Sequence, residues 1–220
     1  MMNNLSADEL IDRENHAWPE LKALMDQGGN TYTYVPAKPE MGKNTLHQLQ
    51  VSRRSYLGAV AYETEGMVVD YGWITLLGAG GESVYGSLAS WNGLSAEPAV
   101  EALPGMMVVA YDVAGGFFAL DTGKFDGSGQ IYYFAPDALE WESTELSYSE
   151  FMTWLAEGDL QLFYETFRWK GWQEDMVQLD KGQVFAYFPP LWTKEGSGKK
   201  SSKTPVDIAE AWKAALEAKN

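Results

Sequence analysis

The chain has no cysteine and only two histidines among 220 residues. The first absence excludes disulfides, thiolate nucleophiles and cysteine-ligated zinc or iron–sulfur centres. The second, with His16 and His47 alone, leaves too few imidazoles for a histidine-rich metal site. No apolar run approaches the roughly 18 residues that a membrane span requires; the longest, such as Met106-Met107-Val108-Val109-Ala110, are strand-sized. The stretch Met1–Glu9 carries neither a basic nor an apolar region, so no secretory leader is expected and the reading is a soluble, cytoplasmic protein. No Gly-Lys-Ser/Thr follows a glycine cluster, which removes a Walker loop, and no serine stands in a Gly-x-Ser-x-Gly elbow.

Bases are also scarce. Sixteen Lys and Arg face 31 Asp and Glu, a net charge of −15, which argues against nonspecific binding to nucleic acid or to an anionic membrane, since both need cations. The deficit is local. Ser55 to Phe167 holds 17 acids and a single base, Lys124, for −16, whereas the two flanks together carry 15 bases and 14 acids. Apolar residues make up 45% and charged residues 21%, ordinary globular usage with enough apolar mass for a core in a single domain over residues 1–220.

Local signals give the organisation. Ser6 with Glu9 forms a capping box opening a short helix through Leu10 and Ile11. A second helix starts near Asn15, tolerates Pro19 in its first turn, shows Trp18, Leu21, Leu24 and Met25 on one face, and stops at Gly28-Gly29. Thr31–Val35 reads as a strand ended by Pro36, followed by a helix carrying Leu46 and Leu49. The centre reads as a β-meander: Met67–Val69 and Trp73–Leu77 flank Asp70-Tyr71-Gly72, Met106–Val113 and Phe117–Leu120 join across Ala114-Gly115-Gly116, and Gln130–Phe134 returns after a glycine-rich loop. Helices then follow from Ser147/Glu150, from Asp159 (Leu160, Phe163, Tyr164, Phe167) and around Trp172, Met176 and Leu179. Val184–Phe188 is a late strand, residues 195–204 form a mobile Lys/Ser/Gly-rich loop, and Thr204–Asp207 opens a terminal helix with Ile208, Trp212, Ala215 and Leu216 on one face. The fold class is α+β, a central antiparallel β-meander flanked by N- and C-terminal helices.

Motifs with chemical content are few. Gly78-Ala79-Gly80-Gly81-Glu82-Ser83 follows a strand, but its sixth residue is Ser83, Glu82 repels phosphate, and a plain loop is the stronger reading. Asp121–Gly129 evokes a calcium loop without the required acid spacing, and Lys124 opposes a cation, so glycines serving a hairpin loop explain it better. His16 stands before a helix start and His47 beside Leu46 on a helix, where packing and capping outweigh catalysis. Asp137, Glu140, Glu142 and Glu145 surround Trp141, a carboxylate-and-aromatic grouping that a glycosidase could use and that a solvated acidic face explains more simply. Most aromatics fall at core spacing; Trp73, Trp91, Trp141, Trp169 and Trp172 are the candidates for a recognition surface.

Several strings resemble an uncharacterised bacterial family, the domain of unknown function numbered 2625. They include Ala17-Trp18-Pro19, Val69-Asp70-Tyr71-Gly72-Trp73, Ser87-Leu88-Ala89-Ser90-Trp91-Asn92, Gly115-Gly116-Phe117-Phe118-Ala119-Leu120 and Leu191-Trp192-Thr193-Lys194. The order of helices, meander and helices is similar to the SMI1/KNR4-type (SUKH) superfamily, a resemblance that implies a SUKH-like fold and an immunity-protein-like role. Together these readings favour a non-enzymatic binding protein with no cofactor, metal or catalytic residue, presenting an acidic surface to a basic protein partner. Its binding candidates are Trp73, Trp91, Asp137, Glu140, Trp141, Glu142 and Glu145. The alternatives are a carboxylate-based hydrolase of a glycan or other neutral polymer, and a homo-oligomeric structural subunit.

Overall fold

The computed structural model describes residues 4–219; Met1–Asn3, part of the stretch read above for a leader, and Asn220 lie outside them. Seven strands form one antiparallel sheet in chain order: β1 (Tyr32–Pro36), β2 (Thr64–Val69), β3 (Ile74–Leu77), β4 (Met106–Asp112), β5 (Phe117–Asp121), β6 (Gln130–Ala135) and β7 (Glu140–Ser147). The expected α+β class and central meander are therefore present. Two further strands, β8 (Gln183–Phe188) and β9 (Ser202–Asp207), pair antiparallel as a separate ribbon. Helices α1 (Ala7–Leu10), α2 (Trp18–Gln27), α3 (Pro39–Leu49) and α4 (Tyr56–Glu63) lie before or just after β1, and α5 (Leu88–Trp91) precedes β4. Helices α6 (Tyr148–Glu157), α7 (Leu160–Phe163), α8 (Trp172–Asp175) and α9 (Ile208–Lys219) follow the sheet. Among the described residues no helix is long and apolar enough to cross a membrane.

The turns follow from local chemistry. Between β2 and β3 the Trp73 N–H donates to the Asp70 carbonyl at 3.0 Å, and the two central residues, Tyr71 and Gly72, have φ of 55° and 96°. Positive φ at both centres gives the twist that a tight hairpin needs. At the β4–β5 turn, a Cβ on Gly116 would sit 2.2 Å from the Tyr133 hydroxyl and 2.4 Å from Asp112 Oδ2, so only glycine fits. The period of two then sends neighbouring residues to opposite faces. Phe118 and Tyr133 pack under Phe151 of α6 and Phe163 of α7, while Phe117 and Phe134 meet Trp91 of α5 and Trp212 of α9.

Four differences from the sequence reading have physical causes. Helix α4 buries Leu57 through Ala61 without interruption, so no 3.6-residue period marks it. Strand β7 is an edge strand bearing glutamates, and alternation is masked there. The segment expected as the end of a loop at 195–204 and as a helix start is instead β9: Lys203 and Thr204 register with Tyr187 and Ala186, and α9 begins only at Ile208. The helices expected through Phe167 and through Leu179 are short, ending at Phe163 and, after a 3₁₀ turn, at Gln178.

Candidate binding edge

Apart from the scattered, exposed Glu82, Glu97, Glu101 and Asp126, two groups stand out among the seventeen acids of residues 55–167. Four are buried and serve the chain itself. Asp70 ion-pairs with Arg168, whose guanidinium lies over the rings of Trp172, Trp73 and Tyr164 at 4.2, 4.6 and 4.9 Å. Glu65 accepts the Ser83 N–H at 2.9 Å, and a Cβ on Gly81 would collide with its carboxylate. The glycine cluster at 78–83 is thus wrapped around a carboxylate of its own chain. Asp121 accepts five backbone N–H groups, from Gly123 to Gly127, at 2.8–3.1 Å. Burial pushes its carboxyl up, but those donors outweigh burial and hold it well below the usual carboxylate range. A carboxylate so occupied organises the 122–129 loop and turns no lone pair toward a cation.

Asp112 is the fourth. Its Oδ1 accepts the Ala114 and Gly116 N–H groups at 2.9 Å each, and its Oδ2 accepts the Tyr133 and Tyr164 hydroxyls at 2.7 and 3.2 Å. Burial raises its pKa in spite of these donors, and burial likewise raises both tyrosines. Half-buried Glu63 is also satisfied, by an ion pair with Arg53.

The second group is exposed. Asp137, Glu140, Glu142, Glu145, Glu150, Glu157, Asp159 and Glu165 all face solvent, the interval 137–165 contains no base, and none of these acids has an ion-pair partner among the described residues. Two have helix duties: Glu150 completes the capping box with Ser147, and Asp159 accepts the Leu162 N–H at 2.8 Å. Hydrogen bonds from Ser147 lower the Glu150 pKa.

Strand β7 gives this run its geometry. It forms one edge of the sheet, and its register shifts against β6 between Gln130 and Tyr132. At that bulge Glu145 has φ 59°, and the Thr144 hydroxyl donates to the Ile131 carbonyl at 2.6 Å. Bulges and edge charge both discourage pairing with another strand. Beside it, a cavity of about 340 Å³ is lined by Phe118, Tyr133, Phe151, Trp154 and Phe163 together with Glu142 and Leu146 of β7. Leu162 and Phe163 on α7 are 63% and 37% exposed. One carboxylate, Glu142, lines this cavity, so it does not contain the opposed pair that the hydrolase alternative requires.

The structure therefore brings Asp137, Glu140, Glu142 and Glu145 to one sheet edge but separates them from the tryptophans grouped with them. Trp73 and Trp91 have no exposed surface and cannot form part of a recognition surface. Trp73 belongs to the cage around Arg168, and Trp91 stacks on Tyr111 with centroids 5.6 Å apart. Trp172 is buried in the same cage, and Trp169 packs edge-on against Phe185 and donates to Asp175 at 2.7 Å. Trp141 is half-buried on the sheet face opposite Glu142, against Phe134 and Trp212. Among the described residues neither His16 nor His47 is hydrogen-bonded to a serine. Sequence reasoning missed the apolar side of the edge. Its one available signal was Phe151, Trp154 and Phe163 interleaved with Glu150, Glu157 and Asp159.

These features define an α+β protein on a seven-stranded antiparallel meander with one acidic, partly apolar edge. The profile of the family described as "protein of unknown function DUF2625" matches residues 7–211, and the chain belongs to that family. It is 34% identical over 206 residues to the putative uncharacterized protein YbfG of Escherichia coli K12, covering 93% of each chain. It is also 35% identical over 185 residues to an uncharacterized protein of Haemophilus influenzae Rd, covering 84% of this chain and 81% of the relative.

Proposed function

We propose that the chain is a non-enzymatic binding protein that offers the β7–α6–α7 edge to a basic protein partner. The observation that carries this reading is the run of eight exposed, unpaired acids at 137–165 beside an apolar cavity flanked by Leu162 and Phe163. Exposed acids of one sign steer a cationic partner and raise its association rate. A desolvated aromatic cavity supplies the central anchor that long-range charge cannot. An immunity-protein-like role is the particular form of this reading that the SUKH resemblance implies.

The test compares the wild-type chain with a Glu142→Lys/Glu145→Lys/Glu157→Lys variant, both immobilised, against a panel of purified basic proteins and lysine-rich amphipathic peptides. The expected result is retention by the wild type at about 50 mM salt that fades at several hundred millimolar, where the Debye length falls below roughly 8 Å. The variant retains nothing under either condition. Absence of retention at low salt, or equal retention by the variant, overturns the proposal.

A further inference from the structure

A second cavity, of about 310 Å³, lies between α9, β8 and the β6–β7 turn, apart from the groove described above. Its walls are apolar: Leu139, Leu191, Trp192 and Ala211 contribute, and Tyr187 presents its ring, since its hydroxyl is already committed to the Phe167 carbonyl at 3.0 Å. Trp192, one of the lining residues, is 44% exposed. The small side chains of Ala211, Ala214 and Ala215 on α9 leave the space open.

The charge in the lining of this cavity is acidic, and the nearby Lys203 ammonium, 5.8 Å from the Tyr187 ring centroid, lies closer to the ring of Trp169, at 4.6 Å. Glu210 is the charged residue in its lining, and no ion pair or hydrogen bond engages its carboxylate among the described residues. The neighbouring base on α9, Lys213, is paired with Glu217 at 3.9 Å. Two lining residues, Pro136 and Leu139, are followed directly by the exposed acids Asp137 and Glu140. The volume is about twice that of an apolar cavity known to admit benzene, and it reaches the lower end of the range for small-molecule sites. An apolar body of about nine heavy atoms fills such a space. A single positive charge on that body would meet Glu210, whereas an anion would be repelled by it.

We propose that this cavity is a binding site for a small hydrophobic amine, with the apolar body against Leu191 and Trp192 and the ammonium at Glu210. The inference goes beyond the protein-partner reading and does not rest on it. The probe is 2-phenylethylamine, with 3-phenylpropanoate as a control of similar size and opposite charge. Both are titrated into the full ¹⁵N-labelled chain while the Trp192 indole N–H, assigned by Trp192→Phe, is followed by NMR.

The amine should give a saturable shift with a dissociation constant of about a millimolar, the scale expected for so few atoms, and the carboxylate should give none. Glu210→Gln should weaken the amine about fivefold, the scale of one partly solvated ion pair. Ala214→Trp, at an exposed helical position, should fill the cavity and abolish the shift. Should that variant fail to fold, the Glu210→Gln titration and the amine-to-carboxylate comparison decide the matter. The Glu142→Lys/Glu145→Lys/Glu157→Lys variant should bind the amine as the wild type does, which separates this site from the β7 edge. No saturable shift, equal binding of the carboxylate, or an unchanged constant in Glu210→Gln overturns the proposal. So does light scattering that finds a dimer whose dissociation is needed before the amine binds, which would make a second copy the occupant. Binding of a lysine-rich peptide at Trp192 without binding of the amine also overturns it.

Discussion

The Asp70–Arg168 pair should be worth more to this fold than any surface charge, and its removal can be sized from the structure. Arg168 is 4% exposed, ion-paired to Asp70 and held against three aromatic rings within 5 Å, with further weak contacts from Nη1 to the Leu160 carbonyl and Gln161 Oε1 at 3.4 Å. Arg168→Met keeps most of the apolar stem but leaves the buried Asp70 carboxylate without its cation. Removing one partner of a buried pair costs about 3–5 kcal/mol, a large part of the 5–15 kcal/mol that holds a typical domain. At about 2–4 °C per kcal/mol for a chain of this size, the melting temperature should fall by roughly 6–20 °C. Asp70→Asn should cost a similar amount by stranding the guanidinium instead. The double variant Asp70→Asn/Arg168→Met should recover part of the loss, because neither charge is then buried alone. Urea unfolding followed by tryptophan fluorescence gives all four corners of the cycle. Single-variant losses below about 1 kcal/mol, or strictly additive losses in the double variant, would refute the claim that the pair is a coupled, desolvated unit.

Two other buried acids should respond to pH with opposite signs. For Asp112 burial raises the folded pKa above the ordinary value of 3.8, so its contribution is complete below that value and is lost as pH rises toward the folded pKa. Asp112→Asn preserves an acceptor for the Ala114 and Gly116 N–H groups and lets the two tyrosine hydroxyls accept; it should cost less than about 1.5 kcal/mol and flatten that pH dependence, whereas Asp112→Leu should cost about 2–5 kcal/mol by orphaning four donors. Chemical denaturation between pH 4 and 8 distinguishes these outcomes, and a wild-type curve that rises throughout would contradict the assignment. For Asp121 the folded pKa is depressed, so its contribution is present above 3.8 and fades as pH falls through the folded value. Asp121→Ala should free the amides of residues 123–127 to exchange rapidly with deuterium while strand amides stay protected; unchanged protection there would mean that the carboxylate does not organise the loop.

What the sequence makes legible is the part of the fold that stands between two environments. Strands β2 to β6 alternate or run apolar between glycine-marked turns, and the capping boxes at Ser6 and Ser147 are local, so both can be read directly. Helix α4 has no exposed face to set against a buried one, so its residues carry no period. Strand β9 has the composition of a linker because both strands of its ribbon are exposed on one side. The candidate site was half legible. Asp137, Glu140, Glu142 and Glu145 cluster in sequence and so remain neighbours on one strand and turn, while Trp73, between Gly72 and Ile74, and Trp91, between Ser90 and Asn92, both point inward. Nothing local could pair Asp70 with an arginine 98 residues away.

That long-range pair also changes the meaning of the charge count. A net charge treats every carboxylate alike, but here the buried acids each have dedicated donors: a guanidinium for Asp70, backbone amides for Glu65 and Asp121, amides and phenols for Asp112. They contribute to the formal −16 of residues 55–167, yet each is engaged by groups of its own chain and is not a free surface carboxylate. The acids left free are the exposed ones, and their longest run, 137–165, begins at the sheet edge formed by β7. The same glutamates therefore act in two directions. Like charge on Glu140, Glu142 and Glu145 disfavours pairing between the edges of two identical chains, and under the reading proposed above the same charge favours a partner of opposite sign.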